Sequence, residues 1–339
     1  MKIAFALALL LGGIEPLLAV SLSFRPLPMR FGDMSRTVRP CAKDPTVIKQ
    51  GERYLLYYTL PPMDDETRKT KGLQTPSQRL WSCAVAESRD LVTWRRIGDL
   101  MIRRKDGRPA GSAGAPCVRK LDGKIVLFYQ HWTPAITNNA IWYATSPDGL
   151  RFTNCFDEPV FVPKNKWSKP KAIDAEVYRV GDDLVLLYAS RDAQTGKRQM
   201  LGMAKAPYGS DYSSSRWTEL SQDRPLLEPV MPWEQNCIEA PSVEKIGKTW
   251  YLFYAGSFNN KRQQIGLATS TDGFHFKRFG PDGLVFPCGC AGSWNSCESG
   301  HPGIFRDDDG RLYLFYQGKS IMPGCAAGYE LSCAEVIGL

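Results

Sequence analysis

Asp44-Pro45-Thr46-Val47-Ile48-Lys49-Gln50-Gly51-Glu52-Arg53-Tyr54-Leu55-Leu56-Tyr57-Tyr58 reads as an apolar strand, a tight polar turn and a second apolar strand closing on tyrosine. Two such runs, rich in β-branched and aromatic residues and joined through Gln50-Gly51, predict a β-hairpin. The design recurs four more times. Its other copies are Ala115-Pro116-Cys117-Val118 leading to Tyr129, Asp174-Ala175-Glu176-Val177 leading to Tyr188, Ala240-Pro241-Ser242-Val243 leading to Tyr254, and His301-Pro302-Gly303-Ile304 leading to Tyr316. Start and tyrosine lie 14 residues apart in the first four copies, and the fifth carries one extra residue in its Asp307-Asp308-Asp309-Gly310 turn.

A second pattern follows most copies: a strand, a tight turn, and an aromatic residue four positions beyond an Asp. It occurs as Ser88-Arg89-Asp90 with Trp94, Ser146-Pro147-Asp148-Gly149 with Phe152, and Ser270-Thr271-Asp272-Gly273 with Phe276; the third unit has a longer variant ending at Trp217. Two hairpins per copy make four strands, and the starts at 44, 115, 174, 240 and 301 lie 59 to 71 residues apart. Repeats of this size and content predict an all-β, five-bladed β-propeller with four-stranded antiparallel blades around a central channel. No 3.6-residue apolar period competes over any long stretch. The last unit offers only a third strand before Leu339, so residues between Ser21 and Cys41 are expected to supply the outer strand and close the ring. One propeller then occupies residues 22–339.

The composition, 43% hydrophobic and 23% charged over 339 residues, excludes a disordered chain, a coiled coil and a collagen-like rod. The formal charge of +8 is spread along the chain, with short groups such as Arg103-Arg104-Lys105 among acidic residues. That dispersal speaks against nucleic acid and leaves an acidic glycan or plain solubility. Residues 1–21 read as a signal peptide: Lys2, an apolar or small run over 3–11, then small residues near Ala19 to Ser21. The protein is therefore expected to be secreted or periplasmic. No later run reaches the ~18 apolar residues of a membrane span. Ten cysteines in an exported chain predict disulfides. Five fall late, at Cys288, Cys290, Cys297, Cys325 and Cys333, and with His301 nearby a zinc site is the second reading.

In a propeller the first strand of each blade lies nearest the axis, so the five starts converge on one channel mouth. Round the ring they place Asp44, Ala115, Asp174, Ala240 preceded by Glu239, and His301, one of three histidines in the chain. Each has a structural explanation when taken singly: Asp before Pro starts turns, and a lone His bonds to a neighbouring blade. Their recurrence at equivalent positions points to one shared site, because like charges at close range are costly unless protonated, paired or functional. Three carboxylates in one pocket suit glycosidic bond cleavage. One is protonated to serve the leaving oxygen, another is ionised to activate water or attack carbon, and a third raises the acid's pKa.

On these residues the chain resembles the five-bladed propeller glycosidases, especially glycoside hydrolase family 43, with families 117 and 32 as relatives. The resemblance rests on Lys43-Asp44-Pro45, Ile173-Asp174-Ala175, Glu239-Ala240-Pro241 and Gly300-His301, and it covers nearly the whole mature chain. It implies an inverting hydrolase with Asp44 as general base, Glu239 as general acid and Asp174 as the residue that tunes and orients the acid. It also implies that His301 helps hold a water-bound metal ion in the channel, commonly calcium, with no other cofactor. In sister families a histidine near this place takes part in acid catalysis, so a substrate-contacting His301 stays open.

Two departures matter. Many family members carry Trp-Ala-Pro at the start of blade two, where this chain has Gly114-Ala115-Pro116. Trp132, Trp233 and Trp294 are the candidates to replace that platform from loops, and each reads equally as ordinary core or loop packing. The fructan-cleaving relatives show Asn-Asp-Pro-Asn, Arg-Asp-Pro and Glu-Cys, against Lys-Asp-Pro, Ile-Asp-Ala and Glu-Ala-Pro here. Arg191, following the blade-three strand, is expected to contact sugar hydroxyls, with a phosphate site as the second reading. The expected partner is a polysaccharide or oligosaccharide, built of arabinose or xylose in plants or of anhydrogalactose in algae. A related phosphorylase or transglycosidase, and a carbohydrate-binding propeller without activity, are the competing functions.

Overall fold

The computed structural model describes residues 22–70, 72, 80–133, 136–320 and 328–339, with backbone alone at 132, 133 and 136–138. Five sheets follow one another around an axis. Their inner strands are Lys43–Gln50, Gly114–Leu121, Ile173–Val180, Ile238–Ile246 and Glu298–Arg306. Each packs on the next, and the fifth returns to the first, so the ring is closed around a channel. The second strands end on the tyrosines: Arg53–Leu60, Lys124–Thr133, Asp183–Arg191, Thr249–Gly256 and Leu312–Lys319. All five inner hairpins are antiparallel.

The fifth sheet is built from both parts of the chain. Ser23–Pro26 pairs antiparallel with Glu330–Ile337, in register Ser23 to Ile337, and supplies the fourth strand the repeat lacked. The sequence left two details out. Leu284–Phe286 adds a fifth strand to blade four, antiparallel to Gln264–Ser270. Met101–Arg103 adds a fifth, parallel strand to the outer edge of blade two.

Period-2 alternation along the second strands builds the core between blades, since neighbouring residues face opposite sides of a sheet. In blade one, Leu55 and Tyr57 pack with Val118 and Leu127 of blade two, whereas Leu56 and Tyr58 pack with Phe315 of blade five. The other three interfaces repeat the arrangement. The closing tyrosines are buried, and four of their hydroxyls have partners: Asp33, Asn154, Glu219 and Glu234. The Ser-x-Asp turns are likewise structural. Asp90, Asp148 and Asp272 each accept two backbone N–H groups through one oxygen, which fixes the turn ahead of Trp94, Phe152 and Phe276.

A polar network ties the blades together beneath the channel mouth. Arg119 of blade two donates to Thr46 of blade one at 3.0 Å and in a bidentate pair to Glu176 of blade three at 2.5 Å. Glu176 accepts the Val243 N–H of blade four at 2.9 Å, and Ser242 accepts the Ile304 N–H of blade five at 2.9 Å. These side chains cross the channel and line its small cavity.

The expected disulfides are not found among the described residues, where nine cysteines are free; Cys325 lies outside them. Cys83, Cys117, Cys237, Cys297 and Cys333 are buried; Cys83, Cys117 and Cys333 pack in the hydrophobic clusters between blades, and Cys117 Sγ also donates to Glu176 at 3.3 Å. Nor do the described residues hold a cluster of three or more His, Cys, Asp or Glu suited to a metal, so the zinc reading gains no support. Among them no helix is long and apolar enough to cross a membrane. Residues 1–21 lie outside the described part.

Candidate active site

The five repeat starts share an unusual backbone. Asp44, Ala115, Asp174, Ala240 and His301 have φ of 53°, 44°, 53°, 51° and 45°, and each inner strand is bulged there. A bulge inserts one unpaired residue and re-aims its side chain, and left-handed residues other than glycine persist only where the surroundings over-determine them. Here the preceding blade does so at three sites. Gln317 accepts the Asp44 N–H at 3.1 Å, Thr59 that of Ala115 at 2.7 Å, and Gln130 that of Asp174 at 3.0 Å. The fold thus turns Asp44, Asp174 and His301 toward the axis from blades one, three and five, and Glu239 enters from the residue just before the blade-four bulge.

His301 lies between two of the acids. Its Nδ1 is 2.8 Å from Asp44 Oδ1 and its Nε2 is 3.2 Å from Glu239 Oε1, with all three side chains nearly out of solvent. Glu239 is further held by amides: Gln199 donates to Oε2, and Gln263 and Asn259 donate to Oε1 at 2.7 and 3.3 Å. Gly300 makes this possible, because a Cβ there would collide with the Gln263 side chain. Gln317 joins the halves of the site, since the amide that accepts Asp44 N–H also donates to Asn259 Oδ1 at 2.8 Å. Asp174 is different: among the described residues it makes no ion pair and its buried Oδ2 has no hydrogen-bond partner, whereas Asp44 Oδ1, also without a hydrogen bond, faces the His301 ring at 2.8 Å.

These surroundings drive the protonation states apart. Burial works against ionised Asp44, but Lys43 and His301 overcome it and hold the carboxyl well below the usual range. Glu239 is also lowered: burial is outweighed by the His301 contact, Lys43 and Gln263. Asp174 is pushed up to about 7 by burial, with Glu239 and Asp44 adding to the rise against His301 and Lys43. For His301 burial favours the neutral ring, yet Asp44 and Glu239 raise it well above its ordinary value, so it is an imidazolium. Both ring nitrogens are committed to carboxylates, which leaves no lone pair for a cation. Direct ligation of a metal by His301 does not fit these donors.

Among the other expected residues, Arg191 reaches the mouth, where its guanidinium stacks 4.4 Å over Phe258, the neighbour of Asn259. Trp132 lies in the second strand of blade two, and its side chain is outside the described residues. Trp233 and Trp294 are committed elsewhere. Trp233 stacks on Tyr254 at 5.9 Å and against Gly256 and Gly266, and Trp294 stacks on Tyr316 at 5.9 Å. Trp167 does the same with Tyr188 at 6.5 Å. The spacing to the closing tyrosine, 21, 21 and 22 residues, is a repeat signal for packing. The residue missed is Trp81, which is 38% exposed and lines a cavity of about 300 Å³ together with Lys43, Asp44, Thr59 and Gln130. It stands just ahead of the third strand of blade one, where no motif of the repeat marked it.

Solved structures of the same fold include a thermostable family-43 glycoside hydrolase (TM-score 0.65, 17% identity, 91% of this chain and 96% of that one). They also include the catalytic domain of a family-62 α-L-arabinofuranosidase from Coprinopsis cinerea (TM-score 0.63, 14% identity, 93% and 98%). A family-32 β-fructofuranosidase from Bombyx mori aligns at TM-score 0.59 and 16% identity over 94% of this chain and 62% of that one. No curated protein matches the sequence. The family model of glycosyl hydrolases family 43 matches residues 37–332, a span holding all five bulged strand starts and the Asp44–His301–Glu239 cluster, and the chain belongs to that family.

Proposed function

We propose that the chain is an exported, inverting glycoside hydrolase that removes a terminal sugar from a plant or algal poly- or oligosaccharide, with residues 1–21 as its leader. The observation that carries the mechanism is the single His301 ring set between Asp44 and Glu239. Its two contacts and the width of the ring put the contacting oxygens at most about 8 Å apart, compatible with the ~6.5–9.5 Å that leaves room for a water in inverting pairs. Asp44, kept ionised by Lys43 and His301, takes a proton from that water as it attacks the anomeric carbon. Glu239 gives the proton to the leaving oxygen. Burial, with the charges of Glu239 and Asp44 adding to it, keeps a proton on Asp174 up to about pH 7. Asp174 tunes and orients the acid. No step uses a metal. Arg119 and Glu176 cross the channel below the acids, which supports entry of a chain end over threading.

The test is product release from plant and red-algal glycans, followed through the anomeric protons by NMR from the first minutes. Wild type should release one sugar, first as the inverted anomer, and Glu239→Gln should release none. Release that needs added phosphate would replace the reading with a phosphorylase. Binding without release would replace it with a carbohydrate-binding propeller.

A further inference from the structure

We propose that the mouth selects a sugar carrying an oxyanion, a sulfate ester or a carboxylate, held by Lys171 and Arg191; this deepens the hydrolase reading and rests on it for the position of the scissile bond. Both cations are built in. The Lys171 carbonyl accepts Ser190 Oγ at 2.5 Å, and the Arg191 carbonyl accepts the Lys169 N–H at 2.9 Å. Arg191 pairs across the strands with Gln199, whose amide holds Glu239, and its guanidinium stacks on Phe258 beside Asn259, which also holds Glu239. The guanidinium therefore stands at the lip next to the proposed acid.

What sets the two apart is the want of a partner. Among the described residues neither makes an ion pair, whereas the well-buried arginines Arg36, Arg119 and Arg278 all reach carboxylates. The acids of the site are already matched. Asp44 and Glu239 face His301 and Lys43; Glu298 is bonded by Gln317 and the Asn260 N–H, near Lys43 and Lys319, which share the Tyr329 ring. Asp174 carries a proton. Lys171 and Arg191 remain as surplus positive charge, with Lys171 close enough to feel Asp174 and Glu239. Burial lowers the Lys171 ammonium and Arg191 lowers it further, against a partial offset from Asp174 and Glu239, so an added anion would stabilise both cations. The forked guanidinium suits a carboxylate or a sulfate in two-point contact, and the ammonium adds a point charge.

The experiment uses matched pairs: a sulfated red-algal oligosaccharide with its desulfated form, and a glucuronate-bearing xylo-oligosaccharide with its carboxyl-reduced form. Dissociation constants are measured by calorimetry on full-length Glu239→Gln protein from 50 to 500 mM NaCl. Cleavage by wild type is followed in parallel, with and without inorganic phosphate. At low salt one anionic member should bind at least ten-fold tighter than its neutral twin, with the advantage shrinking as salt rises. The pair that shows the advantage tells sulfate from carboxylate. Lys171→Gln and Arg191→Gln should each bring the ratio within about two-fold of unity. Equal affinity within both pairs, a salt-independent ratio, or no binding of any member overturns the proposal. Phosphate-dependent cleavage of a neutral member also overturns it and assigns the cations to a co-substrate. Charge preference with no cleavage by wild type removes the hydrolase reading and keeps the anion site. Cleavage of neutral members with no preference does the reverse.

Discussion

Asp174 shows how one side chain couples chemistry to stability. Its folded pKa, about 7, lies above the ~3.9 of a free aspartate. Between about pH 4 and 7 the folded protein holds a proton that the unfolded chain has released, so this residue makes stability fall as pH rises through that window. In Asp174→Asn that contribution is gone, and denaturant unfolding at pH 5 and pH 8 should show a smaller loss of stability between the two than wild type shows. A wild-type and variant difference of the same size at both pH values would sink the assignment. Above pH 7 the Asp174 proton leaves and a further negative charge enters the site, so kcat/KM should decline on the basic side. Substrates with an activated aryl leaving group should restore turnover to Glu239→Gln, because they need no acid, and should not restore it to Asp44→Asn, which lacks the base. Rescue of Asp174→Asn with loss in Glu239→Gln would make Asp174 the direct acid. Trp81 belongs at this scale too. Its exposed ring borders the cavity beside Asp44, and Trp81→Ala should raise KM about ten-fold or more with kcat less affected, the mark of a lost sugar-stacking face.

At the scale of the element, the bulged strand start does the positioning. Left-handed backbone at an L-residue costs ~1–2 kcal/mol, and Ala115 and Ala240 bear it with no side-chain function to offset it. Ala115→Gly should relieve that strain at some cost in chain entropy, for a net gain below about 1 kcal/mol in urea unfolding, whereas Ala115→Val should lose stability. The hairpins themselves were legible, because their alternation and closing tyrosines follow from blade packing, and so was the place of the four acid and histidine positions. The bulge was not. Its occupants, Asp, Ala, Asp, Ala and His, share no residue type, and the glutamine and threonine side chains that hold three of them come from the neighbouring blade, far away in sequence. Residue type leaves Trp233 and Trp294 open between a sugar platform and packing, and their stacks on Tyr254 and Tyr316, 21 and 22 residues on, decide for blade packing. The disulfide expectation came from cysteine number. Number carries no information on direction, and Cys83, Cys117 and Cys333 pack in the cores between blades.

At the scale of the whole molecule, the ring is only as closed as its fifth blade. Ser23–Pro26 covers the edge of Glu330–Ile337, and Phe24 packs edge-on against Phe286 at 5.0 Å, bridging blade five to blade four. Removing residues through Pro26 would leave an unpaired strand edge and expose Phe24's partners. The expected loss is about 2–3 kcal/mol, from one partly buried aromatic and a short hydrogen-bonded ladder. Blade five also carries His301 and Gln317, which hold Glu239 and the Asp44 backbone from opposite sides. A loosened fifth blade should therefore disturb both acids together. The comparison is between chains starting at residue 22 and residue 27, by urea midpoint, light scattering and kcat/KM. The shorter chain should unfold at lower urea, associate through the bare edge, and lose activity beyond what its folded fraction explains. An unchanged midpoint would mean that blade five stands on three strands, and that the terminal strand is an addition to a ring already closed.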